Sequence, residues 1–139
     1  IMPVPQAQYV ASSDIYPCRF ITPDGAYKVK QAGVGDPIIG VSAEGTTMVA
    51  IDGMTNASCV YAARTGMPVR YYSIGTECNI ESGAAFSANA YLTADADGKA
   101  VTATDGSDTN FGAQARQAAT DSGQKIRCIV VPHGSHVPS

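Results

Sequence analysis

The chain is poor in the residues that most active sites and many binding sites are built from. It has no tryptophan and two histidines, and charged residues make up 15% of its 139 positions, against roughly 25% in an average soluble domain. Without tryptophan it lacks the best stacking platform for sugars. Nine basic residues scattered singly and a formal net charge of -3 leave no footprint for gripping a phosphate backbone, so nucleic acid is not an expected partner. The apolar runs, such as Cys128-Ile129-Val130-Val131, fall far short of the ~20 residues that span a bilayer, so no membrane is expected either. The opening Ile1-Met2-Pro3-Val4-Pro5 has neither the basic start nor the apolar core of a secretory signal, which gives no sign of export.

Paired cysteine motifs are missing too. The four cysteines stand at 18, 59, 78 and 128, with no C-x-x-C unit of the kind that zinc and redox sites share. Two disulfides are formally available. A chain of this length buries enough surface without them, and Cys78 and Cys128 lie in strand-like runs, so free buried thiols are the expectation.

Turn residues, by contrast, are abundant. Asp-Gly occurs at Asp24-Gly25, Asp52-Gly53, Asp97-Gly98 and Asp105-Gly106, within a total of 14 glycines, so few windows are long enough for a helix. Short alternating segments lie between the turns, at 16–21, 26–31, 37–42, 67–74, 77–80, 90–94, 99–103, 112–118 and 124–131. Strands of this length and spacing predict an all-β domain, a short-stranded barrel or sandwich. Alternation puts Ile39, Val41, Val69, Leu92, Val101, Ile126, Cys128 and Val130 on inward faces. The small residues of Gly112-Ala113-Gln114-Ala115 suit close approach to a second sheet. Residues 115–120 are the one place where a helix competes, and the window is too short to hold one unaided. Residues 91–103 form the clearest hairpin, with Asp97-Gly98 as a two-residue type I′ turn. The first fourteen residues read as an extended N-terminal arm, 15–132 as the β-domain, 133–139 as a flexible C-terminal tail, and 43–63 as a long loop with room for one short strand.

Candidate chemistry is thin. Asp95-Ala96-Asp97-Gly98 looks like the start of a calcium loop, but an EF-hand needs its glycine at the sixth position and a glutamate at the twelfth, and the twelfth here is Gly106. A plain hairpin turn is expected there. His133 and His136 have the spacing to share a divalent ion, yet a terminal tail is a poor place to preorganise a site or to orient a catalytic histidine. Gly33-Val34-Gly35-Asp36-Pro37 lacks the Lys-Ser/Thr that completes a phosphate cradle and reads as a turn. Asn56-Ala57-Ser58 is a formal glycosylation sequon, without meaning unless the chain is exported. Tyr71-Tyr72 should send one ring inward and one outward. No metal, no cofactor and no catalytic residue is expected.

From about Pro37 onward, the order of motifs resembles the capsid cement, or head decoration, proteins of tailed bacteriophages. The resemblance rests on Pro37-Ile38-Ile39-Gly40-Val41-Ser42-Ala43-Glu44-Gly45, then Gly66-Met67-Pro68-Val69-Arg70-Tyr71-Tyr72-Ser73-Ile74-Gly75. It continues through Ile80-Glu81-Ser82-Gly83-Ala84-Ala85, the 91–101 segment, Gly112-Ala113-Gln114-Ala115 and Ser122-Gly123-Gln124-Lys125-Ile126-Arg127-Cys128-Ile129-Val130. It implies a β-rich structural virion protein, made in the host cytoplasm, that binds the outer surface of an icosahedral head between capsomers and stabilises it. It also implies a homotrimer, the major capsid protein as partner, and neither cofactor nor catalysis.

The low charge fits a surface covered by contacts, and an arm that drapes over a neighbour enlarges a contact, with Ile1, Met2, Val4 and Tyr9 as its apolar anchors. A frayed terminus is the plainer reading of the same residues. A head-fibre or receptor- and glycan-binding β-domain is the alternative function. A small trimeric β enzyme acting on nucleotides is a third, and it would need clustered carboxylates that the scattered acidic residues do not supply.

Overall fold

A computed structural model describes residues 9–43, 61–104, 106, 109–134 and 136–137, the side chain of His133 excepted. They are all-β, with ten strands: β1 (Val10–Ala11), β2 (Phe20–Pro23), β3 (Lys28–Gln31), β4 (Gly40–Ser42), β5 (Tyr71–Tyr72), β6 (Glu77–Glu81), β7 (Tyr91–Ala94), β8 (Ala100–Thr102), β9 (Phe111–Ala115) and β10 (Lys125–Gly134). Two five-stranded sheets result, ordered β1-β3-β2-β4-β5 and β6-β10-β9-β7-β8. All pairings are antiparallel except β1 with β3. The rival helix at 115–120 is absent: β9 runs to Ala115, and Ala119 bridges Phe86 instead.

Sheet 1 curls until its two edges meet. Ala11 N–H donates to the Met67 carbonyl at 2.9 Å and Val69 N–H to the Tyr9 carbonyl at 2.9 Å, beside a Val10 to Pro68 bridge. This half-barrel encloses Ala11, Ile15, Ile21, Val29, Ala63 and Val69, with Tyr9, Ile39 and Tyr71 packed against them. Val10 and Ala11 of the segment expected as an arm are therefore built into the sheet as β1, and Ala11 is buried, as is Ile15 just beyond that segment. The main core lies between the sheets and joins Phe20, Ile38 and Val41 of one to Ile80, Leu92, Ala113, Ile126, Cys128 and Val130 of the other. The small residues of β9 serve this packing as expected. A Cβ on Gly112 would lie 2.8 Å from the Cβ of Ile38, closer than non-bonded carbons approach.

The sheets are also tied by polar contacts. Phe20 N–H donates to the Gly98 carbonyl at 2.8 Å and Glu81 N–H to the Cys18 carbonyl at 2.9 Å. Glu81 receives Arg19 at 3.3 Å, Lys99 at 3.3 Å and Lys125 at 2.7 Å. Burial pulls the Glu81 carboxyl upward; the Lys125 hydrogen bond, the charges of Arg19 and Lys125 and the Lys99 hydrogen bond outweigh it and hold the group below the usual carboxylate range.

Two expectations need correction, and they share a cause. Asp97 does not adopt positive φ; Gly98 alone does, at 78°. Gly98 N–H donates to the Asp95 carbonyl at 3.2 Å and Asp95 N–H to the Lys99 carbonyl at 2.9 Å, which is a three-residue loop ending in a bulge glycine rather than a two-residue type I′ turn. The extra residue pairs Ala94 with Ala100 and Leu92 with Thr102. One step of register exchanges the faces, so Ala100 is buried and Val101, expected in the core, is only half-buried.

Ile39 likewise packs against the half-barrel, while Ile38 fills the main core. Alternation alone does not choose between two adjacent isoleucines when a sheet has a core on each face. The other six expected core residues are buried. At the C-terminus, β10 continues through Pro132, which falls where the β9 to β10 register shifts and no ladder donor is required. Val137 beyond it is fully buried with Ala103 and Phe111, so the segment expected as a flexible tail is anchored there.

Candidate functional site

The polar motifs singled out in the sequence resolve into turn chemistry. Asp95 Oδ1 accepts from the N–H groups of Asp97 at 2.8 Å and Lys99 at 2.9 Å, so that carboxylate oxygen serves its own hairpin. Gly33 N–H donates to Asp36 Oδ2 at 2.8 Å, which uses a donor that a phosphate cradle would need. His136 is exposed, whereas the side chain of His133 lies outside the described residues, as do Asn56-Ala57-Ser58 and Cys59. Among the described residues, no group of three His, Cys, Asp or Glu side chains is placed to hold a metal ion. Cys18, Cys78 and Cys128 are buried, and none of the three is in a disulfide with another described cysteine.

Aromatic side chains form the more distinctive surface. Tyr9 sits 6.2 Å from Tyr27 and 5.8 Å from Tyr71, ring centre to ring centre. Tyr27 is 62% exposed and holds a left-handed φ of 56°, uncommon for a bulky side chain and a sign that its surroundings over-determine it. Burial and the neighbouring Tyr9 push the Tyr71 hydroxyl above its ordinary pKa. Tyr71 and Tyr72 do point to opposite faces, but neither faces only solvent: Tyr72 packs on the main core and Tyr71 on the half-barrel core.

A second aromatic group is a ladder. Tyr16 and Tyr61 lie 4.7 Å apart, with the Arg19 guanidinium 5.0 Å over Tyr16 and that of Arg64 5.0 Å over Tyr61. Arg64 pairs with Asp14 at 3.3 Å. The Thr65 backbone N–H at 2.9 Å, opposed by a smaller effect of burial and aided by Arg64, holds Asp14 below the usual carboxylate range. Each ring of this ladder already carries an aromatic and a cationic neighbour, so it is a poor stacking site for a sugar.

Of the contact residues expected from the sequence, Ile1, Met2 and Val4 lie outside the described residues. Tyr9 is half-buried against the half-barrel core. Sequence reasoning missed Tyr27, Val34 at 77% exposure and Ile74 at 51%. The available signal was position: each lies in or beside a glycine turn, where an apolar side chain has no strand face to enter.

No family model matches the sequence, and no curated protein matches it. Among solved structures the fold is similar to the crystal structure of the head fiber gp8.5 N base in bacteriophage phi29, with a TM-score of 0.59 and 17% identity, over 89% of this chain and 91% of that chain.

Proposed function

We propose that the chain is a structural protein of a bacteriophage head, which binds the outer surface of the assembled capsid, bridges neighbouring capsomers and has no catalytic role. The observation that carries this reading is the likeness to a head-fibre base along nearly the full length of both chains, and the motif order of the sequence points to the same kind of particle. The major capsid protein is the partner and a homotrimer the working unit, as the resemblance implies. Two features support a docking role physically: a low charge content, and the exposed Tyr27 held beside Tyr9 where the described chain begins. Weak contacts of this kind gain strength when repeated over a shell.

A protein that binds only the assembled shell stabilises it by mass action. Heads lacking this chain should therefore release their genome at lower temperature than complete heads, and adding the purified protein should restore the difference. The solved neighbour favours a second reading, in which the domain is the base that seats a head fibre. In that case heads lacking the chain lose an appendage and keep their thermal stability. Heads that lose neither stability nor an appendage would contradict both readings.

A further inference from the structure

Cys78 on β6 and Cys128 on β10 are register partners across an antiparallel ladder. Their sulfurs face each other at 3.9 Å, and the residues are at most 1% exposed. Residues paired in this way hold their Cα atoms about 4.5–5.5 Å apart, inside the window of roughly 4.4–6.8 Å that a disulfide spans. Closing the bond asks for side-chain rotation and a small narrowing between the strands, with no change in topology. We infer that Cys78 and Cys128 are a latent cross-strand disulfide site, reduced as the chain folds and closed when the folded protein meets a low-molecular-weight disulfide. The inference is independent of what the chain docks on.

The route follows from the sheet order. β6 stands at the end of its sheet and is laddered to β10, which is itself paired on both sides, so local opening of β6 is the lower-cost way to expose a thiol. In the closed core, the contact with Cys78 and then burial push the Cys128 thiol far above its ordinary pKa, so exchange starts from the opened strand. The Cys78 thiolate attacks the small disulfide and forms a mixed disulfide, releasing one small thiolate. The Cys128 thiolate then attacks the Cys78 sulfur and expels the second. Two electrons pass from the protein thiols to the small disulfide, and the two protons end on the released thiols or in solvent.

The test uses the full wild-type chain and oxidised glutathione under native conditions, followed by alkylation and tryptic mapping without reduction. The expected product joins peptide 71–99 to peptide 128–139 and is two hydrogens lighter than their sum. Its formation should raise the melting midpoint by about 10 °C, and dithiothreitol should reverse the rise. Peptides 71–99 and 128–139 recovered unlinked, or linked instead to 1–19 or 31–64, would overturn the inference. So would a link that forms only in denaturant.

Discussion

At the scale of single residues, the fold depends on places where one side chain is too large or one charge indispensable. Gly112 is the sharpest case, since any Cβ there meets Ile38. Gly112→Ala should destabilise the protein by about 1–3 kcal/mol, as overpacked cores do. Trimming Ile38 in the same chain should recover part of that loss, giving a non-additive pair in urea denaturation. Glu81 is the corresponding electrostatic position. Its pKa is depressed in the folded chain, so its contribution is fully present above the unfolded carboxylate pKa and is lost as pH falls through the lower folded value. Glu81→Gln should cost about 1–3 kcal/mol at pH 7, and the gap between variant and parent should narrow as pH falls, with denaturation midpoints across an acid titration as the measurement. Replacing Ile126 or Val130, both buried, by Asp should cost several kcal/mol, because an unpaired charge would be buried in the main core.

At the scale of elements, each strand-like segment found by alternation corresponds to a strand from β2 to β10, because turn residues mark strand ends locally and need no tertiary knowledge. What escaped is what depends on a partner. β1 is two residues long and exists because β3 and Met67 receive it; nothing in Val10-Ala11 alone says so. The Asp97-Gly98 hairpin was visible while its loop length was not, since Asp95 completes the turn with its own carboxylate, and that single residue decided whether Ala100 or Val101 faces the core. The aromatic corner was hidden for the same reason, as Tyr9, Tyr27 and Tyr71 come together only when sheet 1 curls. The burial of Ala11 and Ile15 on one side and of Val137 on the other makes a matched prediction. Ending the chain at Gly134 removes fully buried Val137 and should cost about 1.5–3 kcal/mol, read as a lower urea midpoint. Deleting residues 1–8 should leave that midpoint unchanged, whereas deleting 1–15 also removes buried Ala11 and Ile15 and should unfold the half-barrel.

At the scale of the whole molecule, the proposed role is attachment to a phage head. The half-barrel sheet and the second sheet share one core and are tied across by the ion pair of Arg19 with Glu81, which Lys99 and Lys125 flank from the second sheet itself. Exposed apolar residues such as Tyr27, Val34 and Ile74 sit in or beside turns, away from that core. A homotrimer should appear by sedimentation at micromolar concentration, and removal of residues 1–8 should leave it folded while lowering its occupancy on heads. The central claim is that the chain is a head protein, and it is tested most directly by imaging heads that lack it after purified protein is added back across a dilution series. The account predicts saturable density on the outer surface between capsomers, into which the two-sheet domain fits. Heads that stay bare at every concentration would contradict it.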